Sequence, residues 1–202
     1  MKNKIGLKDI FVAPVTVNSD LKYTTEEPTR IPSVKTLKVE ESFSDLPIYG
    51  DDSLEINKSF FNSATLELEF NYLSSENKAL LFGKKFKDGG LTSNTEDENG
   101  TVALGYRSRT ATGKFEIVWF YVCNVTSGDS YDVETIGEKP NASTQSLKLT
   151  AMGRQNDKNY KFEINQNDII EGNTEAIALC AINPTSKAPV FFDEVQEPIV
   201  GA

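Results

Sequence analysis

Histidine is absent from all 202 residues, cysteine occurs twice and tryptophan once. Without an imidazole, no Ser-His-Asp triad, Cys-His dyad or histidine-ligated metal centre can be built. The two cysteines, Cys123 and Cys180, show neither C-x-x-C nor framework spacing. They read as buried or half-buried free thiols of a reducing compartment. Long hydrophobic runs are missing as well. The longest, around residues 117–125, falls well short of the ~20 residues needed to span a bilayer. The opening MKNKIGLKDIFVAPVT is basic but has no apolar stretch of signal-peptide length, which predicts a soluble protein made in the cytoplasm. Positive charge is scarce: 21 Lys and Arg stand against 30 Asp and Glu, for a net charge of −9. Binding nucleic acid through its phosphates needs clustered Lys and Arg. The one basic cluster, Lys84, Lys85 and Lys87, is accounted for by a solvated loop.

What is present is alternation. In SATLELEFNYLSSENKALLFG, residues 63–83, Leu66, Leu68, Phe70 and Tyr72 fall on one face and Glu67, Glu69 and Asn71 on the other. That period of two predicts a strand with one dry and one wet side. The period then changes. Ser74 is placed to cap a helix, Glu76 suits its first turn, Ala79, Leu80 and Phe82 offer an apolar face, and Gly83 supplies a left-handed stop. A helix of little more than two turns is unstable alone, so it must lie against a sheet.

Most of the remaining chain reads as strands. Residues 5–17 predict an opening strand interrupted or ended near Pro14, at an edge. Residues 18–32 predict a loop or weak hairpin, and 33–43 a strand with Leu37 and Val39 opposite Lys38 and Glu40. Residues 44–63 mix turn formers with Leu46, Ile48, Tyr49, Phe60 and Phe61, and read either as a core-capping loop or as a projecting arm. Apolar residues on a projecting hairpin more often meet a partner, which favours the arm. Residues 84–100 predict a polar loop, 101–110 a strand, and 114–126 the most apolar strand, centred on Trp119. A long loop over 127–143 follows, of a length that is often functional. Residues 144–153 and 160–164 predict strands, 174–182 fits strand or short helix equally, and the C-terminal tail docks on the sheet. No internal repeat is visible. The expectation is a single domain over 1–202: mainly β, sandwich- or barrel-like, with one short flanking helix at about 74–83.

No catalytic constellation emerges. Asp51-Asp52 and Glu96-Asp97-Glu98 lack the register of a calcium loop. GYRSRTATGK, residues 105–114, has the wrong glycine spacing for a phosphate loop, and Phe115 stands where a Ser or Thr would reach magnesium. Trp119, Phe120 and Tyr121 could stack on a sugar or base, but within so apolar a strand core packing is the better account. No catalytic, cofactor or metal residue is assigned, and no cofactor is expected. The chain reads as a binding or structural protein rather than an enzyme.

The order of these pieces is itself informative. IGLKDIFVAPVT leads into IPS-x-L-x-V-E, then SFSDLPIYGDD-x-L-E, then TLELEFNYLSSENKALLFG. NGTVALGYRSRTATGKFEIVWFYVCNV, QSLKLTAMGR and FFDEV-x-E-P complete it. Across nearly its whole length the chain resembles the major tail protein, or tail tube protein, of long non-contractile tailed phages of Gram-positive bacteria. The resemblance implies a virion protein that forms hexameric rings stacked into a tail tube, the conduit for DNA ejection. It implies as partners further copies of the chain, a tape-measure protein and tail terminator and initiator proteins, with DNA passing unbound and no membrane insertion. On that basis Phe43, Leu46, Ile48, Tyr49, Phe60 and Phe61 are expected at subunit or ring interfaces, and Glu67 and Glu69 at the lumen. The tube of a phage-derived bacteriocin would read the same way. The competing class is a monomeric β-sandwich that recognises carbohydrate or a host surface through Trp119, Tyr121 or Tyr106.

Overall fold

A computed structural model describes residues 3–50, 53–131, 133 and 144–199. The protein is mainly β, dominated by one large antiparallel sheet. Its strands are β1 (Lys4–Asn18), β2 (Tyr23–Thr25), β3 (Thr29–Ile31), β4 (Val34–Gly50), β5 (Ser53–Phe70), β6 (Lys85–Lys87), β7 (Gly90–Thr92), β8 (Thr101–Thr110), β9 (Phe115–Val125), β10 (Ser130–Tyr131), β11 (Gln145–Met152) and β12 (Lys161–Asn165). The main path runs β2-β1-β8-β9-β11-β5-β4, with β3 beside β1, β10 beside β11 and β12 beside β9. β9 shares one edge between two partners, pairing β12 over Glu116–Phe120 and β11 over Val122–Val125. The sheet rolls so that β4 comes against β1. The β4–β5 ribbon also reaches β12, through Tyr160 stacked on Phe61 at 3.7 Å and Lys161 paired with Glu41 at 3.1 Å.

Rolling gives the sheet an inside and an outside. Inside, Ile10, Val12, Leu66, Leu68, Phe70, Leu104, Val118, Phe120, Leu147 and Leu149 form the main core. A register shift between Val102 and Leu104 turns β9 over, so that Val118 and Phe120 and then Cys123 and Val125 all point inward. Outside, Trp119, Ile117, Phe11 and Ala103 carry a second core, roofed by a short helix and a 3-10 turn at Val190–Phe192. Gly105 stands opposite Trp119, and a Cβ there would come within 2.7 Å of the indole and 2.9 Å of Phe192. The missing side chain is the space those rings fill. The Trp119 indole N–H donates to the Phe191 carbonyl at 2.9 Å.

The tail is held by charge as well. The fully buried Arg154 donates to both Glu197 carboxylate oxygens, at 2.7 and 2.8 Å, pairs with Asp157, and lies 4.1 Å over the Tyr121 ring. Asp9, also buried, sits between Arg107 and the half-exposed Arg30.

Several expectations require correction. Pro14 does not end the first strand: β1 runs through it, with Val102 opposite, and its carbonyl accepts from Glu26 N–H. Tyr72 is not on the dry face. The strand stops at Phe70, Leu73 N–H turns to the Gln145 side chain at 2.7 Å, and Leu73 is buried in place of Tyr72. The first helix, α1 (Ser75–Phe82), has its cap as expected: Ser74 Oγ accepts from Asn77 N–H, and Gly83 is left-handed at φ 62°. Of the expected apolar face, Phe82 is buried and Leu80 packs half-buried against the core, but the other buried positions are Asn77 and Leu81 rather than Ala79. Nor is it alone. A second helix, α2 (Thr174–Cys180), is capped by Asn173 and buries Ala176 under the outer core. Residues 84–100 contain the small β6–β7 hairpin rather than loop alone.

Candidate functional site

The feature that stands apart is the outer half of the β4–β5 ribbon. Near its base, alternation places Leu37, Val39, Leu66 and Leu68 against the inner core and Lys38, Glu40, Thr65 and Glu67 on the opposite face. The register shifts after Ser42, pairing Phe43 with Phe61, Ser44 with Phe60, Leu46 with Lys58 and Ile48 with Ile56. Counting onward by twos, Leu46, Ile48, Ile56 and Phe60 fall on the face that was polar at the base. The ribbon therefore changes sides: what is wet and charged below becomes apolar above.

Five of the six expected interface residues, Phe43, Leu46, Ile48, Tyr49 and Phe60, are large apolar side chains exposed to solvent. Phe61 differs. It is half-buried between Tyr160 and the inner core and anchors the ribbon to the body. Ile56 was missed by the sequence reading, and its position opposite Ile48 is the signal that could have found it. β4 also leaves one edge open, since β5 is its only strand partner among the described residues. Pro47 lies on that strand and lacks a donor, a feature that limits indiscriminate edge pairing.

Glu67 and Glu69 lie on the solvent face of β5, but they do not form a bare acidic strip. Lys38 and Lys148 flank Glu67 from the neighbouring strands, at 3.9 and 3.3 Å. Glu69 accepts from Thr144 Oγ1 at 2.8 Å and from Lys35 at 3.2 Å, and those two bonds hold its carboxyl below the usual glutamate value. Glu40 is likewise lowered by its bond to Lys38. Each pair is exposed and adds little stability. Together they form a charge-balanced ladder across β4, β5 and β11.

The aromatic platform of the carbohydrate-binding alternative is not at the surface: Trp119, Tyr121 and Tyr106 are all buried. Residues 105–114 run as β8 and its following turn, with no phosphate cradle. Among the described residues no group of three or more His, Cys, Asp or Glu is placed to hold a metal, and no helix is long and apolar enough to cross a membrane. Asp51-Asp52, and residues 132 and 134–143 of the expected 127–143 loop, lie outside the described residues.

No protein-family model and no curated protein matches the chain.

Proposed function

We propose that this chain is a self-assembling structural subunit whose copies close into rings and stack into a hollow tube, the tail tube of a long-tailed phage. The observation that carries the reading is the outer β4–β5 ribbon, two strands thick and studded with Phe43, Leu46, Ile48, Tyr49, Ile56 and Phe60, which are exposed among the described residues. An isolated two-stranded ribbon is marginal in water. One that also exposes a contiguous apolar strip is expected to find its burial on another molecule. A second copy is the simplest partner, and a ribbon that docks on a different surface of its neighbour makes a head-to-tail contact. Such contacts generate rings where they close and filaments where they do not.

Two further features support the reading. The open β4 edge offers backbone groups to a neighbouring strand. The net charge of −9 suits a conduit that must not hold DNA, since a binding surface would need clustered cations. In this role the protein resides in the virion tail and meets tape-measure, terminator and initiator proteins at the ends of the tube. Glu67 and Glu69 line the lumen only with their lysine partners beside them, so the surface they contribute is charge-balanced rather than uniformly repulsive.

Electron microscopy of the purified chain across a concentration series tests this. Rings or tubes with a central hole are expected as concentration rises. A monomer at every concentration, with or without preformed tube ends as seeds, would overturn the reading.

A further inference from the structure

The outer ribbon meets the body where its own pairing is irregular. Ser42 faces Ser63, but the next pair is Phe43 with Phe61, so Asn62 is an extra residue on β5. A bulge of this kind bends its strand and re-aims the side chains beside it. Here Phe61 turns inward, and its ring lies flat on Tyr160, with 3.7 Å between centroids and 11° between planes. Phe43 meets the same Phe61 edge-on from the other strand, at 5.9 Å. Two residues before Phe43, Glu41 reaches Lys161 at 3.1 Å, and Lys161 also pairs with Glu163 at 3.0 Å.

The body side of these contacts is tied to the core. The Tyr160 carbonyl accepts from Tyr121 N–H at 3.1 Å, and Lys161 opens β12 opposite Phe120. Tyr121 and Phe120 are both fully buried. The Lys161 and Glu41 side chains are 24% and 27% exposed, against 61% and 60% for Lys38 and Glu40, so water screens the first pair less. Farther out, Asp45 and Ser59 bond to each other across the ribbon. Leu46, Ile48, Ile56 and Phe60 belong to neither core.

We propose that Tyr160 and Lys161 are positioning residues for assembly. They clamp the ribbon at Phe61 and Glu41, next to its bulge, and so set the direction in which its apolar strip points. Fixing that direction in the free subunit removes an ordering cost from docking. The consequence for docking rests on the assembly reading above, whereas the aim of the ribbon is a property of one subunit.

Residual dipolar couplings of the monomer, below the concentration at which it associates, compare the ribbon amides (44–46, 48 and 56–60) with those of the body. One alignment frame is expected to fit both in the parent chain. In the Tyr160→Ala, Lys161→Ala double variant the ribbon couplings should shrink while those of the body hold. Sedimentation velocity should then show association weakened by about three- to thirty-fold. Tyr160→Phe keeps the ring and should match the parent in both measurements. Should the double variant fail to fold, Glu41→Gln opens the ion pair from the ribbon side and should give a smaller change in the same direction. Shrunken ribbon couplings in the parent, or unchanged ones in the variants, would overturn the clamp. So would altered couplings with unchanged association in a parent that assembles. If the parent stays monomeric at every concentration, the assembly reading falls and the couplings alone decide the clamp.

Discussion

Replacing Leu46, Ile48 and Phe60 together by serine strips the centre of the apolar face on the outer ribbon. Full burial of a Leu, Ile or Phe side chain is worth about 1.5–3 kcal/mol. These three are 52%, 43% and 54% exposed in the single subunit, so about half of that remains to be gained on docking. The three together then contribute about 2–4 kcal/mol per docked ribbon, or roughly 30- to 700-fold in the association constant. None of the three belongs to either core cluster, so the stability of the isolated subunit should move by no more than about 0.5 kcal/mol. Sedimentation velocity over a concentration series, with micrographs of the same samples, reads the first effect, and urea unfolding of the monomer reads the second. The expected result is a folded monomer that assembles only at far higher concentration, or not at all. Assembly at the parent concentration would refute the argument by showing that the strip is not buried between copies. An unfolded variant would refute it differently, by showing that the ribbon belongs to the subunit's own core.

Three other expectations follow from the body of the subunit. Asp9→Ala leaves Arg107 buried without its counter-ion and should cost about 3–5 kcal/mol in urea unfolding, while Arg30→Ala, at the exposed end of the same cluster, should cost about 1 kcal/mol or less. Equal effects would mean that the buried pair is not what matters. Gly105→Ala pushes a methyl group into Trp119 and Phe192 and should cost about 1–3 kcal/mol, with a matching change in tryptophan fluorescence; a neutral result would contradict the packing. Glu69 should titrate below an ordinary glutamate, first because of the Thr144 hydroxyl and then because of Lys35. A carboxyl whose folded value is depressed contributes its stabilisation above the unfolded value and loses it as pH falls through the folded one. Carboxyl-carbon NMR should therefore show the Glu69 midpoint rising in Thr144→Val, and an unchanged curve would discard the hydroxyl's role.

The elements that were legible in the sequence share one property: their environment is the same from end to end. The alternation of Leu147, Leu149 and Ala151 meets one core throughout, so a period of two is enough to read it, and the strand over 101–110 is buried on both faces along nearly its whole length. Where the surroundings change midway, the pattern misleads. Tyr72 continues the alternation of Leu66, Leu68 and Phe70, but the backbone has already left the sheet for the Gln145 side chain. In α1 the caps are local and readable, whereas the buried face depends on how the helix lies on the sheet, and Leu81 rather than Ala79 meets it. α2 carried a readable sign as well, an Asn173 cap followed by Glu175, but its apolar run suited a strand equally well.

The apolar strip was visible as residues, since Leu46, Ile48, Tyr49 and Phe60 are conspicuous among turn formers. Its geometry was not. The shift after Ser42 decides that Phe60 joins Leu46 on the face of Lys38 and Glu67 and that Phe61 turns inward, because one extra residue on β5 reverses that strand's pleat. The lysines beside Glu67 and Glu69 come from strands separated from them by tens of residues, so only the pairing of β4, β5 and β11 reveals a balanced ladder. Arg154 and Asp9 gave no signal at all. Their partners Glu197 and Arg107 lie far along the chain, and an isolated charge in a sequence looks solvated until the fold removes its water. By itself the sequence determined what local chemistry can determine: a β-rich chain, the α1 caps, and the absence of any histidine-based site. The tertiary structure decided which face each side chain takes, which charges are buried in pairs, and which apolar residues the subunit leaves uncovered, because those depend on register and on contacts between distant segments.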